Sequence, residues 1–193
     1  MSAPRVLALS GSSRRESLNT RLVTNAARGV EAAGVSCTVL DWSEFSLPLY
    51  DGDLEAESGM PEDAARLQQL FIEHQGLLIA SPEHNSSYTA LFKNLVDWIS
   101  RSPEGEPPLV ALKGKTAAVM AASPGALGGL RGLVPLRMLL GNLGVTVLPD
   151  QITVRQAMKA FDAEGRLVDD TQRERVEGLG RQLAENLLKV HRD

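Results

Sequence analysis

Short apolar runs alternate along this chain with longer stretches in which apolar residues recur every three to four positions. Arg5-Val6-Leu7-Ala8-Leu9 lacks polar alternation, as expected of a strand covered on both faces, and it stops at Ser10-Gly11-Ser12-Ser13. Leu18, Leu22, Ala26, Val30 and Ala33 then share one helical face, with Ser17 placed to cap the start and Gly34 just past the end. Ser36 to Leu40 predicts a second strand, and a stretch holding Pro48, Gly52, Gly59 and Pro61 reads as a loop before a helix from about Glu62 to His74. Gly76 to Ala80 repeats the buried-strand pattern. It ends at Ser81-Pro82 and leads to a helix with the face Leu91, Leu95, Trp98 and Ile99, capped by Ser86 or Ser87. Ser102 to Pro108 reads as an exposed loop within the domain, ahead of a fourth strand from Thr116 to Ala121. A helix bearing Leu133, Leu136, Leu140 and Leu143 follows, then a last strand between Val145 and Val154. The closing helix sets Val176, Leu179, Leu183, Leu187 and Val190 against the body of the protein. Strands and amphipathic helices in alternation mean βαβ units, right-handed crossovers and a parallel sheet with helices on both faces, an α/β fold.

At 193 residues the chain suits one domain, 1–193, with a sizeable core. A formal net charge of -4 with 23% charged residues offers no basic track for nucleic acid. Cys37 is alone, so no internal disulfide forms, and no His/Asp/Glu group has metal-ligand spacing. The amino terminus shows no basic region followed by a long apolar one, and no run reaches membrane-spanning length, so a soluble, cytoplasmic protein with no membrane partner is expected. Nucleophilic hydrolysis has little to work with: Gly-x-Ser-x-Gly is absent and the histidines are His74, His84 and His191.

In an open parallel sheet, ligands sit outside the carboxyl ends of the strands, where the chain order reverses. The loops after strands one, three and four therefore carry the interest. Ser10-Gly11-Ser12-Ser13-Arg14-Arg15-Glu16-Ser17-Leu18-Asn19 puts hydroxyls, an amide and guanidinium groups just before a helix N-terminus, which suits a terminal phosphate; read alone, it equally suits a solvated, capped turn. It has no Gly-x-Gly-x-x-Gly and is not a P-loop, which favours a mononucleotide over a tightly held dinucleotide or ATP. Gly114-Lys115-Thr116 mimics a P-loop ending but precedes a strand instead of following one. The second loop, Ser81 to Tyr88, can offer amides to the edge of a flat ring system, or can simply be the capped entry to a helix. The third, Ser123 to Gly129, is glycine-rich: it permits close approach of a planar ligand, or is a flexible connector. Trp98 falls at a helical core position and reads as core or as a subunit contact.

At these loops the chain resembles the NADPH-dependent FMN reductase family of flavodoxin-like proteins, over nearly its whole length. Gly11-Ser12-Ser13-Arg14-Arg15-Glu16-Ser17-Leu18-Asn19 is similar to the family's Gly-Ser-x-Arg-x-x-Ser-x-Asn phosphate loop, and Pro82-Glu83-His84-Asn85-Ser86-Ser87-Tyr88 to its Pro-Glu-Tyr-Asn-Gly-Ser segment. Phe92-Lys93-Asn94-x-x-Asp97-Trp98-x-Ser100-Arg101 resembles the helix that follows, and Leu47 to Asp51 and Ser123-Pro124-Gly125-x-x-Gly128-Gly129 resemble weaker family segments. The resemblance implies a flavodoxin-like three-layer sandwich with strand order 2-1-3-4-5. It implies FMN contacts from Ser10, Ser12, Arg14, Ser17, Leu18 and Asn19 at the phosphate, and from Pro82, Glu83, His84, Asn85, Ser86, Ser123, Gly125 and Gly128 around the ring. It further implies an NAD(P)H-dependent oxidoreductase that passes electrons to a small acceptor (a quinone, free flavin, an azo compound or a metal oxyanion) with ping-pong kinetics and no obligatory side-chain acid or base. NADPH or NADH is the donor, and a homodimer or dimer of dimers contacts through the Leu91–Arg101 helix. The chain departs from the pattern at His84 for Tyr, Ser86 for Gly and Thr89-Ala90 for Pro-Gly. The rival readings are a non-enzymatic FMN sensor, an electron carrier, disfavoured by 4% aromatic residues, and a nucleotide-binding domain without flavin.

Overall fold

The computed structural model describes residues 3–102 and 105–191. Strands β1 (Arg5–Ser10), β2 (Ser36–Val39), β3 (Gly76–Ala80), β4 (Thr116–Ala122) and β5 (Thr146–Val154) form one sheet in the order β2-β1-β3-β4-β5, every pair parallel. The connecting helices are α1 (Leu18–Ala32), α2 (Gly52–Ser58), α3 (Glu62–Glu73), α4 (Ala90–Ile99) and α5 (Leu130–Asn142), and α6 (Asp170–Val190) closes the chain. The flavodoxin-like topology expected of the sequence is therefore present. Side-chain alternation along the central strands makes two cores: Val6, Ala8, Leu78, Ala80 and Met120 face α1 and α6, while Leu7, Leu9, Leu77, Ile79 and Val119 face α3, α4 and α5.

Helix α1 carries the first loop, and α6 holds it in place. Their axes approach through two glycines: a Cβ on Gly29 would lie 1.8 Å from the Glu177 carbonyl oxygen, and one on Gly180 would lie 2.0 Å from that of Ala26. Ser17 caps α1 by accepting from the Thr20 N–H at 3.2 Å, and Gly34 takes φ 81 beyond its end, both as the sequence indicates.

Three expectations need correction, and one open reading is decided. The stretch between β2 and α3 is not plain loop: it holds a 3-10 turn, Trp42–Glu44, and α2, started by Asp51 accepting from the Asp53 N–H and stopped by Gly59 at φ 74. The cap of α4 is Thr89, whose Oγ1 accepts from the Phe92 N–H at 3.2 Å, because Ser86 and Ser87 are occupied in a tight turn. Of the two readings of Trp98, core is the one present: it is fully buried within its own chain and donates to the Pro48 carbonyl at 2.9 Å. Val190 lies 65% exposed, so the apolar face of α6 ends at Leu187 and the partly buried Leu188. The expected exposed loop 102–108 falls partly outside the described residues, at 103–104. Strand β5 carries a register shift that leaves Leu148, Pro149 and Asp150 opposite Ala118, a bulge that lets this edge strand accommodate a proline that cannot donate.

Candidate functional site

The three loops after β1, β3 and β4 meet at the carboxyl edge of the sheet, fastened by buried hydrogen bonds. The Gly11 N–H donates to the Ala80 carbonyl at 2.8 Å, and Thr89 Oγ1 donates to the Gly11 carbonyl at 2.7 Å, joining the first loop to the second. Asn19, only 3% exposed, pairs through both ends of its amide with Ala122: Nδ2 donates to the carbonyl at 2.9 Å and Oδ1 accepts from the N–H at 2.8 Å. That joins the first loop to the third. Trp42 Nε1 donates to the Ser10 carbonyl at 2.6 Å and supports the first loop from the β2 side.

The second loop turns sharply between His84 and Ser87, which exchange N–H to carbonyl bonds at 2.9 and 3.0 Å. The two residues inside the turn, Asn85 (φ 50) and Ser86 (φ 65), are both left-handed, the geometry of a type I′ turn in which the second position strongly favours glycine. Ser86 therefore holds a strained place. Glu83 has its carboxylate fully engaged: Oε1 accepts from Arg131 Nε and lies 2.8 Å from Nη2, while Oε2 accepts from the N–H groups of Arg131 at 3.0 Å and Gly132 at 3.3 Å. It supplies the cap that α5 lacks, since Gly129 precedes that helix without a side-chain cap.

Two adjoining cavities result. One of 280 Å³ is walled by Ser12, Arg14, Ser17, Leu18, Asn19, Pro82 and His84, with Gly11, Ser13, Thr89, Ala90, Leu91 and Ala122 beside them. The other, of 400 Å³, is walled by Glu83, Asn85, Ser86, Ser123, Gly125 and Gly128, with Ala126, Leu127, Gly129 and Arg131. Thirteen of the fourteen residues the sequence nominates thus line these two spaces; Ser10 alone lies beneath them, 2% exposed, with an Oγ that meets no partner. Sequence reasoning missed Thr89 and Arg131 as site residues, and it missed that Asn19 and Glu83 spend their polar groups on the protein itself.

Electrostatically the first cavity favours an anion. No ion pair or side-chain hydrogen bond engages the guanidinium of Arg14 among the described residues, the start of α1 adds its positive end, and nearby Glu16 is paired with Arg21. Gly125, Gly128 and Gly129 floor the second cavity, and the last two are packed against the sheet behind them: a Cβ on Gly129 (φ 89) would lie 2.7 Å from the Ala121 Cβ, and one on Gly128 (φ 64) would lie 3.0 Å from the Val154 carbonyl. Among the described residues no group of three His, Cys, Asp or Glu could hold a metal ion, and no helix is long and apolar enough to cross a membrane.

The family model of the NADPH-dependent FMN reductases matches residues 4–159, which take in both cavities. The chain belongs to that family. An NAD(P)H-dependent FMN reductase of Pseudomonas aeruginosa is 37% identical over 174 residues, covering 90% of this chain and 89% of that protein. An NADPH:quinone oxidoreductase of Arabidopsis thaliana is 35% identical, covering 89% and 86%. Among solved structures, the flavoenzyme NAD(P)H:(acceptor) oxidoreductase of Paracoccus denitrificans superimposes with a TM-score of 0.77 at 26% identity, over 96% of this chain and 98% of that one. As a member of the FMN reductase family, the chain is an NAD(P)H-dependent flavin oxidoreductase with FMN as cofactor. Its site fits that group: a guanidinium with no partner among the described residues and a helix start at one end, and a glycine-rich wall without side chains at the other.

Proposed function

We propose that this protein holds FMN with its phosphate in the 280 Å³ cavity and its ring against the glycine floor, and reduces small acceptors such as quinones, free flavin, azo compounds or metal oxyanions. The observation that carries the reading is the junction of the two cavities across Pro82 and Glu83, which gives one ligand an anionic end and a planar end. Bound FMN supplies the two-electron chemistry that links NAD(P)H to the acceptor. Of the chain's own residues, Ser12, Arg14 and Ser17 anchor the phosphate, Asn85 and Ser86 present their turn to the ring edge, and Asn19 and Glu83 hold the walls together. His84 stands exposed at the rim, where an incoming acceptor passes it. The quinone-reducing relative from Arabidopsis supports the acceptor class.

The same reading has the chain act as one cytoplasmic domain and as a homodimer or dimer of dimers. The outer face of α4 is partly covered by the Pro48–Tyr50 segment, to which Asn94 binds, whereas α5 leaves Leu130, Val134 and Met138 exposed at every fourth position; α5 thus offers a partner more apolar surface than the α4 contact expected of the sequence. Sedimentation showing a flavin-loaded monomer would count against a dimer. The enzymatic reading is tested by an absorbance spectrum of the purified protein with FMN, before and after anaerobic NADPH. Bound flavin that bleaches supports it, and bound flavin that stays oxidised points to a sensor or another donor.

A further inference from the structure

The largest cavity among those around the first loop is not one of the two above. On the opposite side of that loop, toward β2, lies a cleft of 750 Å³ that shares Ser12, Ser13 and Arg14 with the phosphate cavity and adds Arg15, Asp41 and Trp42. Its chemistry has three parts. Arg14 and Arg15 reach it with guanidinium groups that no carboxylate engages among the described residues, the neighbouring Glu16 being paired with Arg21 instead. Its apolar wall is Val39, which stands 40% exposed at the end of an edge strand, backed by Leu40 and by Trp42, which is 8% exposed. Asp41 lines the cleft as well, its carboxylate fixed by accepting from the Ser43 N–H at 2.9 Å. Cations for a phosphate, a carboxylate for sugar hydroxyls and an apolar wall for a flat base are together the requirements of a nucleotide.

Arg14 borders both spaces, so bound FMN phosphate has first claim on it, while Arg15 borders the outer cleft alone. The cleft therefore keeps one uncommitted guanidinium when FMN is in place. The cleft shares Ser12, Ser13 and Arg14 with the phosphate cavity and no residue with the 400 Å³ cavity, so a ligand that serves both ends must be extended, as a dinucleotide is and a small acceptor is not. We propose that this cleft receives the adenosine end of NADPH, with Arg15 pairing with the 2′-phosphate and so selecting NADPH over NADH. The inference rests on the reading of the protein as an FMN enzyme fed by a nicotinamide donor. Asp41 is the counterweight: its carboxylate would accept from the 2′-hydroxyl of NADH and repel a phosphate placed against it, so the proposal requires Arg15 to dominate.

The experiment compares adenosine 2′,5′-bisphosphate with adenosine 5′-monophosphate by calorimetry on the FMN-loaded protein, and measures kcat/KM for NADPH and NADH in the wild type, Arg15→Ala and Arg15→Lys. The expected result is a preference for the bisphosphate of about 10-fold to 100-fold, the worth of a charge-assisted hydrogen-bond pair, with the NADPH to NADH ratio of kcat/KM falling by a similar factor in Arg15→Ala. Arg15→Lys should recover part of that ratio. Equal binding of the two fragments, a stronger binding of the monophosphate, or an unchanged ratio in Arg15→Ala would overturn it. The fragment titration needs no turnover: an Arg15-dependent preference in a protein whose flavin NADPH fails to bleach would retain the cleft and refute the enzymatic reading instead.

Discussion

Removing the Glu83 carboxylate separates the stability of the ring cavity from its chemistry. In Glu83→Ala the β-carbon, which packs against Gly132, is kept, and only the carboxylate is lost, with four contacts: three hydrogen bonds and the ion-pair approach of Arg131 Nη2. Two of those bonds satisfy N–H groups at the start of α5, where a lost cap costs about 1 kcal/mol and the loss of negative charge at a helix start about 0.3–1 kcal/mol more. The other two go to Arg131, whose side chain is 62% exposed, so that ion pair contributes at most about 1 kcal/mol. The expected destabilisation is about 2 kcal/mol. With a urea m-value of about 2.5 kcal/mol/M for a chain of this size, the unfolding midpoint of the flavin-free protein should fall by about 0.8 M with m unchanged. Because Glu83 and Arg131 belong to facing walls of the 400 Å³ cavity, FMN affinity should fall as well, although neither side chain needs to touch the flavin. Glu83→Gln, which keeps one acceptor oxygen, should lose about half as much stability. A midpoint shift below about 0.2 M in Glu83→Ala would refute the assignment of Glu83 as the cap of α5.

Asn19→Leu should cost about 2–4 kcal/mol in the same urea titration, since it leaves the buried N–H and carbonyl of Ala122 unpaired; a loss under about 1 kcal/mol would show that those groups find other partners. Arg14→Ala should weaken FMN binding by about 1.5–3 kcal/mol in a flavin fluorescence titration, and an unchanged dissociation constant would remove Arg14 from the phosphate site. Ser86→Gly should raise stability by about 0.5–1 kcal/mol, the left-handed strain it relieves less the entropy glycine adds to the unfolded chain; a destabilised variant would contradict a strained turn. Lys115 lies at the amino end of β4, away from the site, where its Nζ donates to the His74 carbonyl and burial lowers its pKa to about 8. The folded state then releases this proton more readily than the unfolded state, so stability should rise as pH climbs from about 8 toward 10.5. Lys115→Met should lose that part of the pH slope, and an unaltered slope would sink the assignment.

The fold was legible because burial speaks plainly in this chain. Strands β1, β3 and β4 are sealed on both faces, so they show as unbroken apolar runs, and α1 announces itself with Ser17 and Gly34 at its ends. What escaped reading has local physical causes. Helix α2 has no buried residue, so no apolar period marks it, although Asp51 and Gly59 stood as its start and stop signals. Thr89 lost the capping of α4 to Ser86 and Ser87 in the reading because hydroxyls crowd that segment, and nothing local reveals that the two serines are bound in a turn.

The site divides along the same line. Residues that line the two cavities through their place in a loop, such as Ser12, Arg14 and Gly125, were readable from loop position and family resemblance, because the carboxyl edge of a parallel sheet dictates where the loops converge. Residues whose work is to join one loop to another were not. The bonds from Asn19 to Ala122 and from Glu83 to Arg131 span 103 and 48 positions, and a motif that names Asn19 or Glu83 does not name the partner. A polar residue in a cofactor motif is therefore ambiguous between touching the cofactor and holding the wall that does. Both clamps here resolve toward the wall, which explains how the motif can tolerate Ser86 in a glycine position: the cavity takes its shape from Asn19, Glu83 and Thr89, and the turn between His84 and Ser87 is carried on that frame.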